Sequence, residues 1–476
     1  MEVNELRRIR RNLDRFLGQF ADCVKTAPSR RHLRTYVHGQ VSSLDRKSIE
    51  PMALAAGVAP RSLQEFIGLH RWDVEAMRDR VQEIVVRDHA DADAVAVVDE
   101  TGCPKKGTHT VGVARQYCGA TGKIDNCVMT VHLGYAVKGF HTLIDSDLYL
   151  PRDTWCADPC RRRAAGIPDA VTFRPKWQIA LDLLQHALGN GVPFHWLTAD
   201  EAYGNAPEFR RGVEAAGLLY MVEVPRTVHG WTHTPHVVER PEYAGTGRPS
   251  KGPRLAPGAA SARRVDALWP RGGPAWETFH VKNTEKGPVV WQARRSRFVV
   301  SQGGLPAEHV TLVVARNVAT EEVKYFLSNA PADTPLTVLL HVAFHRWHIE
   351  REFQDAKGQI GFDHFEVRRY RAVMRHMAVS RVSLLFLALE AHRLRGEKPM
   401  VELAPGAPDR RSPTRSRPAQ PGTPPAARST RRPDRIHPSP PPGGGASPST
   451  DSITMAAPAG HSTLPSTEVL PCVLAL

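Results

Sequence analysis

A chain of 476 residues has room for more than one domain and for a sizeable buried core. Its 63 Lys and Arg against 49 Asp and Glu leave a formal charge of +14, which favours polyanionic partners through counterion release, nucleic acid first and an anionic membrane surface second. With no apolar run of spanning length, and a polar, Arg-rich stretch from Met1 to Lys25, the sequence argues against a membrane segment or secretory leader and for a cytosolic protein. Seven cysteines form no Cys-x-x-Cys pair, and their odd number suits reduced thiols better than a disulfide framework.

Residues 1–90 read as a helical region, with Leu13, Leu17 and Phe20 recurring at three- and four-residue steps. Within it, Ile49 to Gly68 has the pattern of two short helices around a turn, Gly57 supplying the turn and Pro60 opening the second helix. A DNA-binding helix-turn-helix and an ordinary helical hairpin packed on the core both fit that pattern.

From Ala94 the texture changes to strands. Ala94 to Val98 is apolar on both faces, as a central strand must be, and ends in Asp99 and Glu100. Strand-like stretches follow at Thr110–Ala114, Cys127–Val137 and Phe140–Leu150. A helix is expected over Lys176–Leu188, a strand over Phe194–Thr198 leading to Asp200, a helix around Pro207–Ala216 and a strand over Leu218–Val224. Leading strands followed by alternating helix and strand predict an α/β fold with a ribonuclease-H-like mixed sheet, its first part in residues 91–224. Residues 225–308 read as a β-rich insertion, with strand candidates at Thr278–Val281, Val289–Ala293 and Phe298–Ser301. The second part of the core, 309–397, holds strands at Val310–Arg316 and Lys324–Ser328 and helices at Leu336–Ala356 and Arg371–Arg395. Residues 398–476 are Pro/Arg-rich and cannot bury enough apolar surface to offset chain entropy, so they are expected to be disordered. A solvated tail, a DNA-holding polybasic arm and a frame-altered end of a longer helical protein are all compatible with that composition.

Phosphodiester cleavage with two divalent metals needs carboxylates converging from separate elements on ions roughly 4 Å apart. Asp99 and Asp200 each follow an apolar strand, and Glu350 lies on the strong helix beyond the insertion. Arg346, Glu350 and Lys357 are spaced four and seven apart, along one helix face, where two cations can clamp phosphate oxygens beside a metal ligand. An Arg346–Glu350 ion pair on a solvated face is the plainer alternative. Asp145 and Asp147 are rival ligands; Glu100 and Glu201 suit supporting or turn roles; His345 and His348 suit packing, since hard Mg²⁺ prefers oxygen.

The run Val98-Asp99-Glu100-Thr101-Gly102, Pro104-Lys105-Lys106-Gly107 and Val111-Gly112-Val113-Ala114-Arg115-Gln116-Tyr117 resembles the first-aspartate block of bacterial insertion-sequence transposases of the DDE superfamily. Ala199-Asp200-Glu201-Ala202-Tyr203-Gly204 is similar to their second-aspartate block, and Arg346, Glu350 and Lys357 fall in register with the branch carrying a Tyr-Arg-Glu-Lys signature. The signature tyrosine would stand at Ala343. The resemblance implies an enzyme with two Mg²⁺ ions per site, replaceable by Mn²⁺, ligated by Asp99, Asp200 and Glu350, with Arg346, Lys357, Lys105 and Lys106 on DNA phosphate. It further implies cleavage at the element's ends, transfer of the 3′ ends to target DNA, double-stranded DNA as partner and a homodimer on it, in the bacterial cytoplasm and on the nucleoid when bound. A ribonuclease-H-like nuclease without strand transfer, or a decayed DNA-binding derivative, are the other readings of the same residues.

Overall fold

The structure, a computed structural model, describes residues 3–239, 252–269, 272–284 and 287–395. The expected tail, 398–476, lies outside the described residues.

Five helices come first: α1 (Val3–Gly18), α2 (Ala27–Gln40), α3 (Ile49–Ala55), α4 (Pro60–Gly68) and α5 (Val74–His89). Thr26 and Asp73 cap α2 and α5 by accepting from the backbone amides of Ser29 and Ala76, so each start is fixed by a side chain the helix needs there. Gly57, at φ +66°, makes the turn between α3 and α4, a left-handed conformation that costs a glycine little.

The strands begin with β1 (Val95–Pro104), β2 (Ala114–Cys118), β3 (Lys123–Val137) and β4 (Phe140–Leu148). After α6 (Pro159–Ala165) and α7 (Lys176–Gly189) come β5 (Trp196–Ala199), α8 (Glu201–Gly204), α9 (Pro207–Ala215) and β6 (Leu219–Val224). The remainder is β7 (His229–Trp231), β8 (Val237–Val238), β9 (Arg254–Leu255), β10 (Arg263–Arg264), β11 (Glu277–Thr284), β12 (Gly287–Gln302), β13 (Leu305–Asn317), β14 (Val323–Ser328), α10 (Leu336–Gly358) and α11 (Tyr370–Arg395).

Among the described residues, β1 pairs antiparallel with β3 and β3 with β4, while β1 pairs parallel with β5 and β5 with β6. This is the ribonuclease-H-like mixed sheet expected from the element order. Alternation along β3 separates the two covering layers. His132 packs edge-on against Phe353 of α10 and Gly134 leaves room for Ile349, whereas Tyr135 turns the other way to Phe194 and donates its hydroxyl to the carbonyl of His89 in α5.

Three expectations need correction. Strand β1 does not stop at Asp99 but continues to Pro104, because β3 keeps pairing with it after its parallel partner β5 has ended. The stretch Thr110–Ala114 is irregular and the strand is Ala114–Cys118, since Gly112 takes φ +79° and the Val113 amide closes a turn on Thr110. The expected β-rich insertion joins the core sheet: β14 pairs with β6, β13 with β14, β12 with β13, and β11 and β7 with β12, so among the described residues the sheet runs to 12 strands. Two of the short candidates, around Val289 and Phe298, are one 16-residue strand, β12.

The N-terminal helices interlock with the last one. Tyr36 and Gln40 of α2 hydrogen-bond His376 and Ser380 of α11 at 2.9 and 2.8 Å, and Arg375 donates to the carbonyls of Ile67 and Trp72. The α3–α4 pair therefore packs on the core through Leu63, Phe66 and Ile67, leaving Arg61 and Glu65 as an exposed ion pair. Helix α11 is long and apolar enough to cross a membrane, contrary to the sequence reading; 83% of its most apolar stretch is buried inside the protein, which accounts for its composition.

Candidate active site

Strand register assembles the site. Val98 of β1 lies beside Ala199 of β5, and Ala199 beside Val222 of β6, so the next residues, Asp99, Asp200 and Glu223, form a row across three adjacent strands. In-register side chains point to one face, and strands lie about 4.8 Å apart, so three carboxylates share a small area at the C-terminal ends of parallel strands, where ligands bind in open α/β sheets. Asp99 pairs in register with His132, on the face covered by α10.

Helix α10 lays Arg346 over this row. Its guanidinium reaches Asp99 at 3.4 Å, Glu223 at 3.8 Å and Glu350, one turn along the helix, at 2.6 Å. The intrahelical Arg346–Glu350 pair thus exists, but it spans the sheet's acids rather than a solvated face. Glu350 itself keeps 44% of its side chain exposed, while Asp99 is 8% exposed. Burial first, and then the facing charge of Asp200, push the Asp99 carboxyl well above the usual range; burial and Glu100 raise Asp200, against the opposing pull of Arg346. One arginine does not balance this charge.

Each acid is also held by its backbone surroundings. Asp99 accepts from the Glu100 amide at 2.7 Å, and Asp200 caps α8 by accepting from the amides of Ala202 and Tyr203 at 3.0 and 3.4 Å. Glu100 joins the two blocks: it accepts from the Tyr203 hydroxyl at 2.8 Å and pairs with Lys176. Helix α8 sits tight on β6, because a Cβ on Gly204 would lie 1.9 Å from the Glu223 carbonyl oxygen. Gly204→Ala should therefore push the Asp200 turn off the sheet and cost about 1–3 kcal/mol of stability, measurable by urea unfolding.

Several proposed residues are employed elsewhere. Lys105 donates to the carbonyls of Asp363 and Phe365 and lies 3.5 Å over the Phe365 ring, so its ammonium is satisfied inside the protein, whereas Lys106 is exposed. Lys357 donates to the Gly102 carbonyl at 3.0 Å, leaving two of its N–H groups. The rival Asp145 is fully buried, held by Nε and Nη2 of Arg78 at 2.9 and 2.8 Å and by His186 at 2.8 Å, which closes it to an ion; Asp147 pairs with Arg174 at 2.6 Å. His345 donates from Nδ1 to the His341 carbonyl at 2.8 Å and is buried. Ala343, at the signature-tyrosine position, is buried too. Glu201 is exposed.

Glu223 escaped the sequence reading. A single acid in the otherwise apolar Leu219–Val224 was its signal, and only the β5–β6 register reveals its neighbours; Lys324 of β14 fixes it at 3.0 and 3.1 Å.

Among the described residues no three His, Cys, Asp or Glu side chains converge closely enough to hold one ion. Asp99 and Asp200 nonetheless fit a divalent cation: they are hard oxygen donors, adjacent in register, and carry charge in excess of their counterions. Glu350 is joined to Asp99 through Arg346.

The family model for DDE superfamily endonucleases matches residues 19–288, which include both aspartates and end before α10. A probable transposase for insertion sequence element IS701 from Microchaete diplosiphon is 29% identical over 192 residues, 40% of this chain and 47% of that protein. The chain thus spans about half the length of that curated relative. Aspartates just past the last β1–β5 pair of a ribonuclease-H-like sheet, and a match over more than half the chain, agree with each other: this chain belongs to the DDE superfamily of endonucleases.

Proposed function

We propose that this chain is an insertion-sequence transposase that binds the double-stranded ends of its element, cleaves them and transfers the 3′ ends to target DNA. The observation that carries the reading is the row Asp99–Asp200–Glu223 under Arg346. Asp99, Asp200 and Glu350 are the residues that would hold two Mg²⁺ ions, which Mn²⁺ can replace. When bound, the ions would lower the pKa of an attacking water or hydroxyl and offset charge on the leaving oxygen.

The chain's own residues prepare the rest. Arg346, held over the row, is positioned to neutralise a phosphate entering between the strand ends and α10, an electrostatic task suited to phosphoryl transfer. Glu223, steadied by Lys324, orients that guanidinium. The Glu100–Tyr203 bond keeps the second aspartate's turn against the first strand. Joining two DNA ends requires at least two protomers, so a homodimer on DNA, in the bacterial cytoplasm, belongs to the same reading.

The test uses purified full chain, Mg²⁺ and a duplex carrying the element end. Wild type should nick the end and join it to a plasmid, and Glu350→Gln should lower nicking on the order of 10³-fold, several kcal/mol of lost charge stabilisation. Equal nicking by the variant would remove Glu350 from the site. Nicking without joining would leave a nuclease. The separation of Glu350 from the two aspartates favours one other reading, a DNA-binding derivative without catalysis, and metal-dependent nicking by wild type would dispose of it.

A further inference from the structure

The block that follows the first aspartate forms a hairpin that the site described above leaves unused. Strands β2 and β3 pair Tyr117 with Ile124 and Arg115 with Asn126, so these four side chains share one face, while Gln116, Cys118, Lys123 and Asp125 belong to the other. Tyr117 and Ile124 are each 62% exposed, two large apolar groups side by side in water. Arg115 beside them is exposed, and so is Lys106, whose loop is tied to the hairpin by Asn126 donating to the carbonyls of Lys105 and Gly107 at 2.6 and 2.9 Å. The acid of the hairpin, Asp125, accepts from the Asn126 amide on the opposite face.

The position of this face is fixed relative to the acids. The hairpin folds over β1 at Gly102, where a Cβ would stand 2.7 Å from the Cys118 sulfur. Gly102 is three residues beyond Asp99 on an unbroken strand, about 10 Å at 3.3 Å per residue. Lys357, at the end of α10, donates to the carbonyl of the same glycine.

We infer that the Tyr117–Ile124 face of this hairpin receives unpaired bases of the DNA held at the acids, Tyr117 stacking on a base while Lys106 and Arg115 track the adjoining phosphates. The surface of an intact duplex is phosphate and sugar and offers little to a pair of exposed apolar side chains. Base faces become available where strands open, and an aromatic group ringed by cations is the arrangement that takes them. The positive neighbours and the continuity with the acidic row select nucleic acid over a second protein chain as occupant.

The inference rests on the proposed DNA-processing role, but its test needs no cleavage. Full-length protein without divalent metal is titrated, by fluorescence anisotropy, against two DNAs of one sequence, one fully paired and one with unpaired bases at the end. Tyr117→Ala should weaken binding to the unpaired-end DNA roughly ten-fold or more and to the paired DNA by less, with Tyr117→Phe close to wild type. A 2-aminopurine in the unpaired segment should be quenched by wild type and by Tyr117→Phe but not by Tyr117→Ala. Arg115→Gln should weaken both DNAs alike and flatten the salt dependence by about one ion. Equal affinities for Tyr117→Ala and wild type on both DNAs would overturn the inference, as would a variant that keeps its DNA affinity but loses self-association in sedimentation. Because Tyr117 is largely exposed, its replacement leaves the fold in place, which circular dichroism checks. Loss of catalysis in Glu350→Gln with binding intact would bear on the role of the acids alone, and loss of stacking with nicking intact on the hairpin alone.

Discussion

Asp99→Asn is expected to abolish metal-dependent nicking, by on the order of 10³-fold or more, while making the protein harder to unfold. Both effects come from one feature. Asp99 is a buried carboxylate facing Asp200, and burial and that neighbour together disfavour its charge. An amide of the same shape removes the repulsion and keeps the hydrogen bond from the Glu100 amide. Sites built to take a cation hold like charges together at a cost in stability, so activity and stability should move in opposite directions. The measurements are the nicking rate and the thermal midpoint without metal. A midpoint that falls for Asp99→Asn would show that the charge is compensated within the protein and that a cation is not needed there.

The opposite outcome is expected at Asp145. Burial opposes its charge, but the hydrogen bond from His186 and the guanidinium groups of Arg78 and Arg381 outweigh that and hold it far below the usual carboxylate range. Asp145→Asn strands Arg381, itself 3% exposed, without its counter-charge, and should cost about 3–5 kcal/mol by urea unfolding at neutral pH. The sign of the pH dependence follows from two shifts. A lowered carboxyl contributes stability above its unfolded pKa of about 4 that is lost as pH falls further. His186 is raised, chiefly by its hydrogen bond to Asp145, so its contribution is full below about pH 6.5 and is lost as pH rises through the raised value. Wild type should therefore lose stability on both sides of a mildly acidic optimum, and the variant should lack the Asp145 limb and keep only the part of the His186 limb that Asp79 supports. A loss under about 1 kcal/mol would mean that Arg78 and Arg381 find other partners.

The parts of this fold written in local pattern were legible. The buried run before Asp99, the long helix from Leu336 and the Gly57 turn with Pro60 all depend on neighbours in sequence, and all three lie where the pattern puts them. The insertion was not legible as part of the sheet, because pairing of β14 with β6 joins residues a hundred positions apart and nothing in either strand names the other. The same limit governs the site. Asp99 and Asp200 were recognisable from their blocks, but Glu223 acquires its meaning from the register of β5 against β6, and the engagement of Lys105 from Phe365 across the molecule. Asp145 stood only as a rival ligand in the sequence; its occupants, Arg78, His186 and Arg381, come from three separate helices.

The bonding of α2 to α11 also sets a timetable for synthesis. Tyr36 and His376, like Gln40 and Ser380, are 340 residues apart, so α2 leaves the ribosome long before its partner exists. At 5–20 residues per second the delay is roughly 20–70 s, far longer than a helix needs to form. Throughout that interval the apolar sides of the first helices stay exposed to water or to whatever binds them, and the sheet can close before its helical cover is complete. A chain truncated before Tyr370 should therefore carry its N-terminal helices as a sticky, protease-sensitive segment, and its yield should depend on chaperones far more than that of a chain reaching Arg395.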